Sequence, residues 1–376
     1  MKKILTNTFL GASIALISTN LNGQEIFSKI ANGGKNDANK VASAYAGPLL
    51  GALGNNLNNG WYSTADPLKL GRFKFELNVP LTFPDASQKT FNVNDLGLEN
   101  IVPAEPKDAT SPTAFGSHSS SANLNVVKKF NGQTTTLTTI ELKGSSLPVL
   151  PMINPQLSVG LVFGTELMFR YLPSIDIKGF KTKYWGLGVK HDIKQWIPVI
   201  KQLPFSLSFI GAYSHMEASY DFGNKLIPVD YATSQFLNLD GNALVDPKPN
   251  LANQKLTLTT NAWNANLIIS KKLPIVTVFG GLRLLGTKST LSFDGYFPIN
   301  TIDTRPTVDQ LPNANLGKTA NAAIENPMKV EYNKTSFGIN AGTRIKLGFV
   351  SILVDGTFVP GGFSSITSGI GFGFFN

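Results

Sequence analysis

Hydrophobic and polar side chains alternate along most of the chain. Between Ser336 and Leu347, Phe337 and Ile339 share one face, while Asn340 and Arg344 fall on the other. Successive side chains of a β-strand point to opposite sides, so this pattern predicts a strand with one apolar and one polar face. Eight further segments carry the same alternation: Gly71–Val79, Leu157–Tyr171, Lys178–Lys190, Phe205–Tyr220, Gln254–Lys271, Ile275–Phe293, Phe349–Pro360 and Ile366–Phe375.

Such strands suit either a soluble sandwich or a membrane barrel, and three features favour the barrel. Several segments exceed the ~10 residues that a tilted strand needs to cross a bilayer. The polar faces carry Arg344 and Lys346, which a wet lumen tolerates and a lipid face does not. The links between segments alternate between short ones such as Lys272–Pro274 and long ones such as Asp221–Asn253 and Asp294–Thr335, as short periplasmic turns and long outer loops would.

Residues 70–376 are therefore predicted to form an all-β, closed antiparallel transmembrane β-barrel in the outer membrane. Nine alternating segments, a hairpin of Ala122–Phe130 with Thr134–Leu142 joined at Asn131-Gly132, and a further strand within Phe83–Ser121 predict about 12–14 strands, with both termini periplasmic. Aromatic residues near strand ends are expected to form an interfacial girdle: Tyr171, Tyr184, Trp185, Tyr213 and Tyr220.

The chain before residue 70 lacks alternation. Residues 1–23 have the short basic start and apolar stretch of a signal peptide, with cleavage expected before Gln24. In residues 24–69, Asn36–Leu53 predicts a helix that Pro48 should kink. A wide barrel leaves room for such a helix, so we expect a plug with Tyr45 and Leu49 at its gate. The sequence leaves open that the helix lies in the periplasm instead.

The composition limits which cofactors, metals and binding partners the protein can have. Charged residues are only 15% of the chain, there is no cysteine, and the net charge is +9. The absence of cysteine excludes disulfides and cysteine-ligated metals, and no cofactor is predicted. The lysines are scattered rather than clustered in a stripe, which argues against nucleic acid. Outer-membrane lipid and lipopolysaccharide are the expected partners, with barrel-assembly machinery during biogenesis.

Three stretches carry a family resemblance: NNLNNGWYSTADPLKLGRFKFEL, FGTELMFRYLP with KYWGLGVKHDIKQWIP, and LPFSLSFIGAYS. The chain resembles an uncharacterised outer-membrane β-barrel family of bacteroidete bacteria, known as a domain of unknown function. The order of a plug followed by a barrel is also loosely similar to long-chain fatty-acid transporter barrels. That second resemblance implies passage of hydrophobic molecules and a hydrophobic small-molecule ligand.

Candidate catalytic chemistry is sparse. Ser214 and His215 are neighbours on one strand, so their side chains point to opposite sides and cannot form a nucleophile–base pair. His215 and Glu217 share a face and are interpreted as a polar pair lining the lumen. We therefore predict no enzymatic activity, with a barrel hydrolase that uses His215 as a third possibility.

The sequence predicts a passive transporter or channel for small or hydrophobic solutes, gated by the N-terminal plug. The alternative is a structural or surface-interaction outer-membrane barrel that transports nothing. Strand parity alone gives the candidate residues of the lumen: Arg170, Glu217, Arg283, Asn340, Arg344 and Lys346.

Overall fold

A computed structural model describes residue 26 and residues 29–177, 179–223, 231–305 and 315–373. The predicted signal peptide, residues 1–23, lies outside this part of the chain. Within it, no helix combines the length and the apolar character that crossing a membrane requires.

Ten antiparallel strands form a closed barrel, and each pairs with its neighbours in the sequence of barrel strands. The first and last strands close the wall, from Lys74 opposite Gly373 to Phe83 opposite Ser364. The barrel strands are β1 (Phe73–Phe83), β2 (Asn154–Leu161), β3 (Thr165–Ile177), β4 (Phe180–Asp192), β5 (Ser206–Asp221), β6 (Lys255–Lys272), β7 (Val276–Asp294), β8 (Met328–Leu347), β9 (Val350–Phe358) and β10 (Ser364–Gly373).

The predicted closed antiparallel barrel is confirmed, but the predicted count of 12–14 strands is wrong. The segment Leu157–Tyr171 is two strands, because Phe163 and Gly164 adopt positive φ angles of 56° and 63° and turn the chain. The Asn131-Gly132 hairpin exists, as Ser121–Phe130 paired with Gln133–Lys143. It joins Ile101–Pro103 in a separate sheet and adds nothing to the wall.

The wall turns apolar side chains outward. Phe337, Ile339 and Ile345 remain 54%, 49% and 38% exposed, whereas Asn340 and Arg344 on the opposite face of β8 are buried. A soluble protein rarely exposes so continuous an apolar band, and a bilayer is the solvent that would cover it.

Part of the predicted aromatic girdle is also present. Tyr171, Trp185 and Tyr213 are exposed on the outer face. Tyr184 and Tyr220 were predicted to join them, but both are buried inside the barrel because they occupy inward positions of β4 and β5.

The two ends of the barrel differ. The long connections 84–153, 222–254 and 295–327 leave from one end, which we call the long-loop end. The connections 162–164, 193–205, 273–275 and 348–349 lie at the other, the short-turn end. Gly179, between β3 and β4, and the brief link 359–363 also lie at the long-loop end.

The long connections carry their own short elements. Leu237 bridges both Leu244 and Ala322, so two of the connections touch each other. Paired strands outside the wall are Thr90–Asn92 with Thr110–Pro112 and Tyr296–Ile302 with Thr319–Glu325, and Leu150–Pro151 lies beside β1. Connection 84–153 contains the 3-10 helices Ala86–Gln88, Val93–Leu96 and Pro106–Ala109, and a further 3-10 helix, Lys194–Trp196, lies at the short-turn end.

Helix α1 (Gly34–Asn58) lies inside the barrel and contacts β6, β7 and β8. It is longer than the predicted Asn36–Leu53, because the wall supplies hydrogen-bond partners for the asparagines of its last turns. Near its start, the Asp37 carboxylate accepts hydrogen bonds from the backbone amides of Glu99, Asn100 and Ile101 at 2.6–3.2 Å. Helix α1 therefore begins at the long-loop end.

The chain then descends the whole lumen. After α1, residues 59–72 form bends and a turn without regular helix or strand and lead to the short-turn end, where β1 begins. We call residues 59–72 the connector, and α1 with the connector the luminal segment. Both termini of the chain lie outside the described residues, so their predicted periplasmic position stays a prediction. The luminal segment crosses the barrel once before β1, so its first residues stand at the end opposite the start of the wall.

Candidate functional site

The lumen is the candidate site, and two buried arginines hold the end of α1 within it. Arg170 of β3 donates from Nη1 to the Leu57 carbonyl at 3.1 Å and from Nη2 to the Asn59 carbonyl at 2.9 Å. Arg283 of β7 donates from Nη2 to the Asn58 carbonyl at 2.7 Å. The last carbonyls of a helix lack intrahelical partners and carry partial negative charge, so two guanidinium groups both satisfy and stabilise this terminus.

Asparagines add to this attachment. The Asn55 amide donates to Thr82 Oγ1 at 2.8 Å, and Thr82 Oγ1 in turn donates to Asn56 Oδ1 at 2.6 Å. On the neighbouring strand β10, Ser365 lies opposite Thr82, and its Oγ accepts a hydrogen bond from the Asn59 amide at 2.8 Å. Asparagine side chains both donate and accept, so they satisfy wall groups of either kind.

Two aromatic side chains of the connector fill the barrel where α1 ends. The Trp61 ring lies under the Arg170 guanidinium, with 3.8 Å between its centroid and Cζ. Glycines at positions 186 and 188 make room for it, since a Cβ there would come within 3.1 Å of the indole. Tyr62 donates its hydroxyl to Asn340 Oδ1 at 2.8 Å. These contacts close the middle of the lumen.

Further down, the connector rests on buried ion pairs of the wall. Lys190 lies 2.8 Å from Glu166, and both side chains are fully buried. Glu166 also accepts the Leu68 backbone amide at 2.9 Å. Lys74 and Glu76 form a second ion pair at 2.9 Å. The Glu76 carboxylate also accepts a hydrogen bond from the Ser63 hydroxyl at 3.1 Å.

The upper half of the luminal segment is packed differently. Val41, Leu50 and Leu53 belong to an apolar core that continues into the long connections. The Tyr45 hydroxyl donates to the Lys143 carbonyl at 2.9 Å. Pro48 lies within α1, and Leu49 packs half-buried against the same core.

Five of the six residues predicted for the lumen lie inside the barrel, and one does not. Arg170, Arg283, Asn340 and Arg344 are buried inside the barrel, and Lys346 is half-buried towards the short-turn end.

Glu217 was predicted for the lumen, but its side chain lies on the outer wall, 44% exposed. The error has a physical cause: above the apolar belt the outward face of β5 becomes polar, so polarity there no longer marks the lumen.

Glu217 belongs to a polar cluster on the outer surface. His215 Nε2 lies 3.0 Å from Glu217 Oε1, and its Nδ1 lies 2.8 Å from Asn261 Oδ1. Lys183 pairs with Glu217 at 2.9 Å. Ser214 is buried on the inner side, so the wall separates it from His215. His215 has two oriented partners, an amide oxygen and a carboxylate, and neither of them is the hydroxyl that a nucleophile–base pair requires.

Several groups in the lumen escaped prediction. Lys74, Glu76, Glu166 and Lys190 all alternate with apolar neighbours, so strand parity could have revealed them. The asparagines of α1 had no such signal. Within the described chain, no group of three or more His, Asp or Glu side chains could hold a metal ion. A cavity of about 20 Å³ between α1 and β7–β8 is large enough for about one water molecule.

A model described as a family of unknown function (DUF6588) matches residues 1–374. The chain belongs to this family. The predicted membership of an uncharacterised family is thereby confirmed, whereas its bacteroidete origin and the likeness to fatty-acid transporters stay predictions. The chain matches no curated protein.

Solved structures with a similar fold are outer-membrane barrels. The outer-membrane protease OmpT of Escherichia coli shares 8% identity, with 84% of this chain and 99% of that chain covered and a TM-score of 0.30. The transporter YddB of Escherichia coli shares 11% identity over 79% of this chain and 42% of its own, with a TM-score of 0.28. The translocator domain of NalP from Neisseria meningitidis shares 10% identity over 87% and 94%, with a TM-score of 0.25. At these TM-scores we draw no functional conclusion from them.

Proposed function

We propose that the protein is an outer-membrane barrel that passes small solutes when its luminal segment moves. The outward apolar belt supports the membrane location. With the luminal segment in place, the middle of the barrel is filled by Trp61, Tyr62 and the two arginines. Passage therefore requires the segment to shift.

The polar groups in the contact between connector and wall carry this proposal. The connector meets the wall through hydroxyl, amide and charged groups, including Thr64 with Ser270 at 3.1 Å. Beside them, Trp61, Tyr62 and Ala65 form a small apolar cluster with the wall. Water can replace the hydrogen bonds, which contribute about 0.5–1.5 kcal/mol net between neutral groups and about 1.5–3 kcal/mol where one group is charged. A purely structural filling would more simply use an apolar core, which water cannot enter cheaply. The same lining favours polar over hydrophobic solutes.

The second candidate is a surface-interaction barrel that transports nothing, and the long connections favour it. The Lys128 amine joins three of them, donating to the Leu239 carbonyl and to Thr301 Oγ1, both at 2.8 Å. Burial lowers the pKa of Lys128 because it disfavours the charged form of the amine. The three connections that Lys128 joins would form an ordered layer over the long-loop end. This layer would present a binding surface while the lumen stays shut.

A reversible cross-link separates the two candidates. The chain has no cysteine, so the double variant Thr64→Cys, Ser270→Cys can form one disulfide, which ties the connector to β6. In planar bilayers we expect channel openings from the reduced variant and their loss on oxidation. Each single variant serves as a control, because it should conduct under both conditions. Absence of openings from the native and reduced proteins would contradict transport and favour the surface-interaction barrel.

A further inference from the structure

Basic side chains outnumber acidic ones inside the barrel. Among the described wall residues, five buried bases stand against three buried acids. Two of the acids are bound to lysines in the Lys74–Glu76 and Lys190–Glu166 pairs. The third acid, Asp355, interacts electrostatically with Arg283, so the buried wall residues carry an excess of two positive charges. The five bases are Lys74, Arg170, Lys190, Arg283 and Arg344, and the three acids are Glu76, Glu166 and Asp355.

The two central arginines have neutral partners. Arg170 donates to the Gln156 amide oxygen at 2.9 Å in addition to backbone carbonyls. Arg283 donates to amide oxygens of Asn266 and Asn59 and to the Thr357 hydroxyl, at 2.6–3.1 Å. Within the described chain, none of these acceptors is a carboxylate.

The luminal segment itself supplies several of these acceptors, namely oxygens of Leu57, Asn58 and Asn59. When the segment moves, both guanidinium groups lose partners that carry partial negative charge. A guanidinium in a narrow lumen binds a carboxylate or phosphate through two parallel hydrogen bonds. An anionic solute is the replacement that matches both charge and geometry.

Positive charge also collects at the short-turn end. Lys346 lies close enough to Arg72, Lys272 and Arg344 to interact with them electrostatically. Residues 66–72, 191–206, 270–277 and 345–350 at this end hold seven bases and two acids. A mouth lined by one sign of charge concentrates ions of the opposite sign. The bases are Lys69, Arg72, Lys194, Lys201, Lys271, Lys272 and Lys346, and the acids are Asp66 and Asp192.

We propose that the opened lumen selects anions, and that its solutes are small carboxylates or phosphates. The proposal rests on the transport function proposed above and names its substrate class. Anions would gather at the basic short-turn mouth and then take the places of the displaced carbonyls on Arg283 and Arg170. The lysine–glutamate pairs stay in the wall and leave the net charge positive.

Ion selectivity of the full-length chain tests this inference. In planar bilayers under a potassium chloride gradient, the reversal potential of single openings should indicate at least about threefold preference for chloride. Addition of phosphate should reduce the chloride current by competition at the arginines. The double variant Lys272→Glu, Lys346→Glu changes exposed or half-buried positions at the mouth, so the barrel should fold and lose most of its chloride preference.

A matched control carries the same charge change on the outer wall. Lys181 and Lys288 are exposed on β4 and β7, and Lys181→Glu with Lys288→Glu should leave the reversal potential unchanged. Openings without chloride preference, or an equal shift in both double variants, would overturn anion selectivity while transport stands. If the native chain and the reduced Thr64→Cys, Ser270→Cys variant both stay closed, the transport function fails, and the inference fails with it.

Discussion

At the scale of single residues, two buried arginines hold the end of α1 inside the barrel. A buried guanidinium requires acceptors for its donors. The end of a helix supplies carbonyl oxygens that otherwise lack partners. Arg170 and Arg283 meet this need from opposite parts of the wall, and the sequence of α1 has no basic residue in its last turn. Helix and barrel thus complete each other's hydrogen bonding.

Replacing Arg283 should show how strongly this attachment holds. Arg283→Ala removes the guanidinium donor from the Asn59 and Asn266 amide oxygens and leaves the Asn58 carbonyl with the longer 3.4 Å contact from the Asn264 amide. Hydrogen bonds from charged groups contribute about 1.5–3 kcal/mol each, so we expect a loss of at least about 3 kcal/mol in unfolding free energy. Urea unfolding in detergent measures it, and single-channel recording should show more frequent openings.

Lys288→Ala is the comparison variant, because Lys288 is an exposed cation of the same strand. Its unfolding free energy should change by less than about 0.5 kcal/mol. Equal stability of the Arg283 and Lys288 variants would mean that the guanidinium does not hold the helix.

At the scale of elements, α1 fits the lumen through its glycines. A Cβ on Gly54 would lie 2.0 Å from the Thr287 side chain, so α1 approaches β7 more closely than an alanine would permit. Gly47 lies in the same helix directly before Pro48, and a Cβ there would meet no atom of the wall within 4 Å. The two glycines therefore compare a position packed against the wall with one that is not.

Alanine at these two positions should have effects of different size. Gly54→Ala forces α1 and β7 apart, and overpacking of this kind costs about 1–3 kcal/mol. Gly47→Ala should change the unfolding free energy by less than about 1 kcal/mol, because the backbone entropy that alanine saves is offset by the clash of its Cβ with the ring of Pro48. Urea midpoints of both variants measure the contrast. Two changes of the same sign and size would show that α1 is not seated against β7.

Element prediction succeeded where the bilayer constrains the sequence and failed where it does not. The alternation of Phe337 to Leu347 reflects two different solvents on the two faces, and the strand is present. The turn at Phe163-Gly164 was missed because apolar residues continue through it and Phe163 stays 75% exposed. The Asn131-Gly132 turn identified a hairpin but could not indicate whether the hairpin belongs to the wall.

Prediction of the lumen succeeded by parity and failed at the upper rim. Arg170 and Arg283 lie in the lumen because each sits opposite apolar neighbours on its strand. For Glu217 the assumption that a polar side chain faces the lumen failed, because the outer surface above the apolar belt is polar as well. The asparagines of α1 have no periodic signal, because their partners come from distant strands.

At the scale of the whole molecule, the luminal segment determines which end of the barrel its first residues reach. Lys35 is exposed near the start of α1, at the same end as the hairpin residue Gln133. Gln202 is exposed in the connection at the opposite end. If the long-loop end faces outward, the N-terminal part of the segment must be on the cell surface.

Cysteine labelling tests this arrangement without background, since the chain has no native cysteine. A membrane-impermeant maleimide should label Lys35→Cys and Gln133→Cys on intact cells. Gln202→Cys should be labelled only after the outer membrane is broken. If Lys35→Cys is labelled only under the condition that labels Gln202→Cys, and not under the one that labels Gln133→Cys, the start of α1 lies at the short-turn end. That result would contradict the fold described.

The central claim is that the luminal segment lies inside the barrel, against the inward-facing side of the wall. Thr64 contacts the inward Ser270, whereas the neighbouring Ile269 points outward and is 46% exposed. Disulfide formation in native membranes, read by non-reducing electrophoresis, tests this most directly. Thr64→Cys with Ser270→Cys should cross-link, and Thr64→Cys with Ile269→Cys should not. Equal cross-linking of the two pairs, or none in the Ser270 pair, would contradict the account.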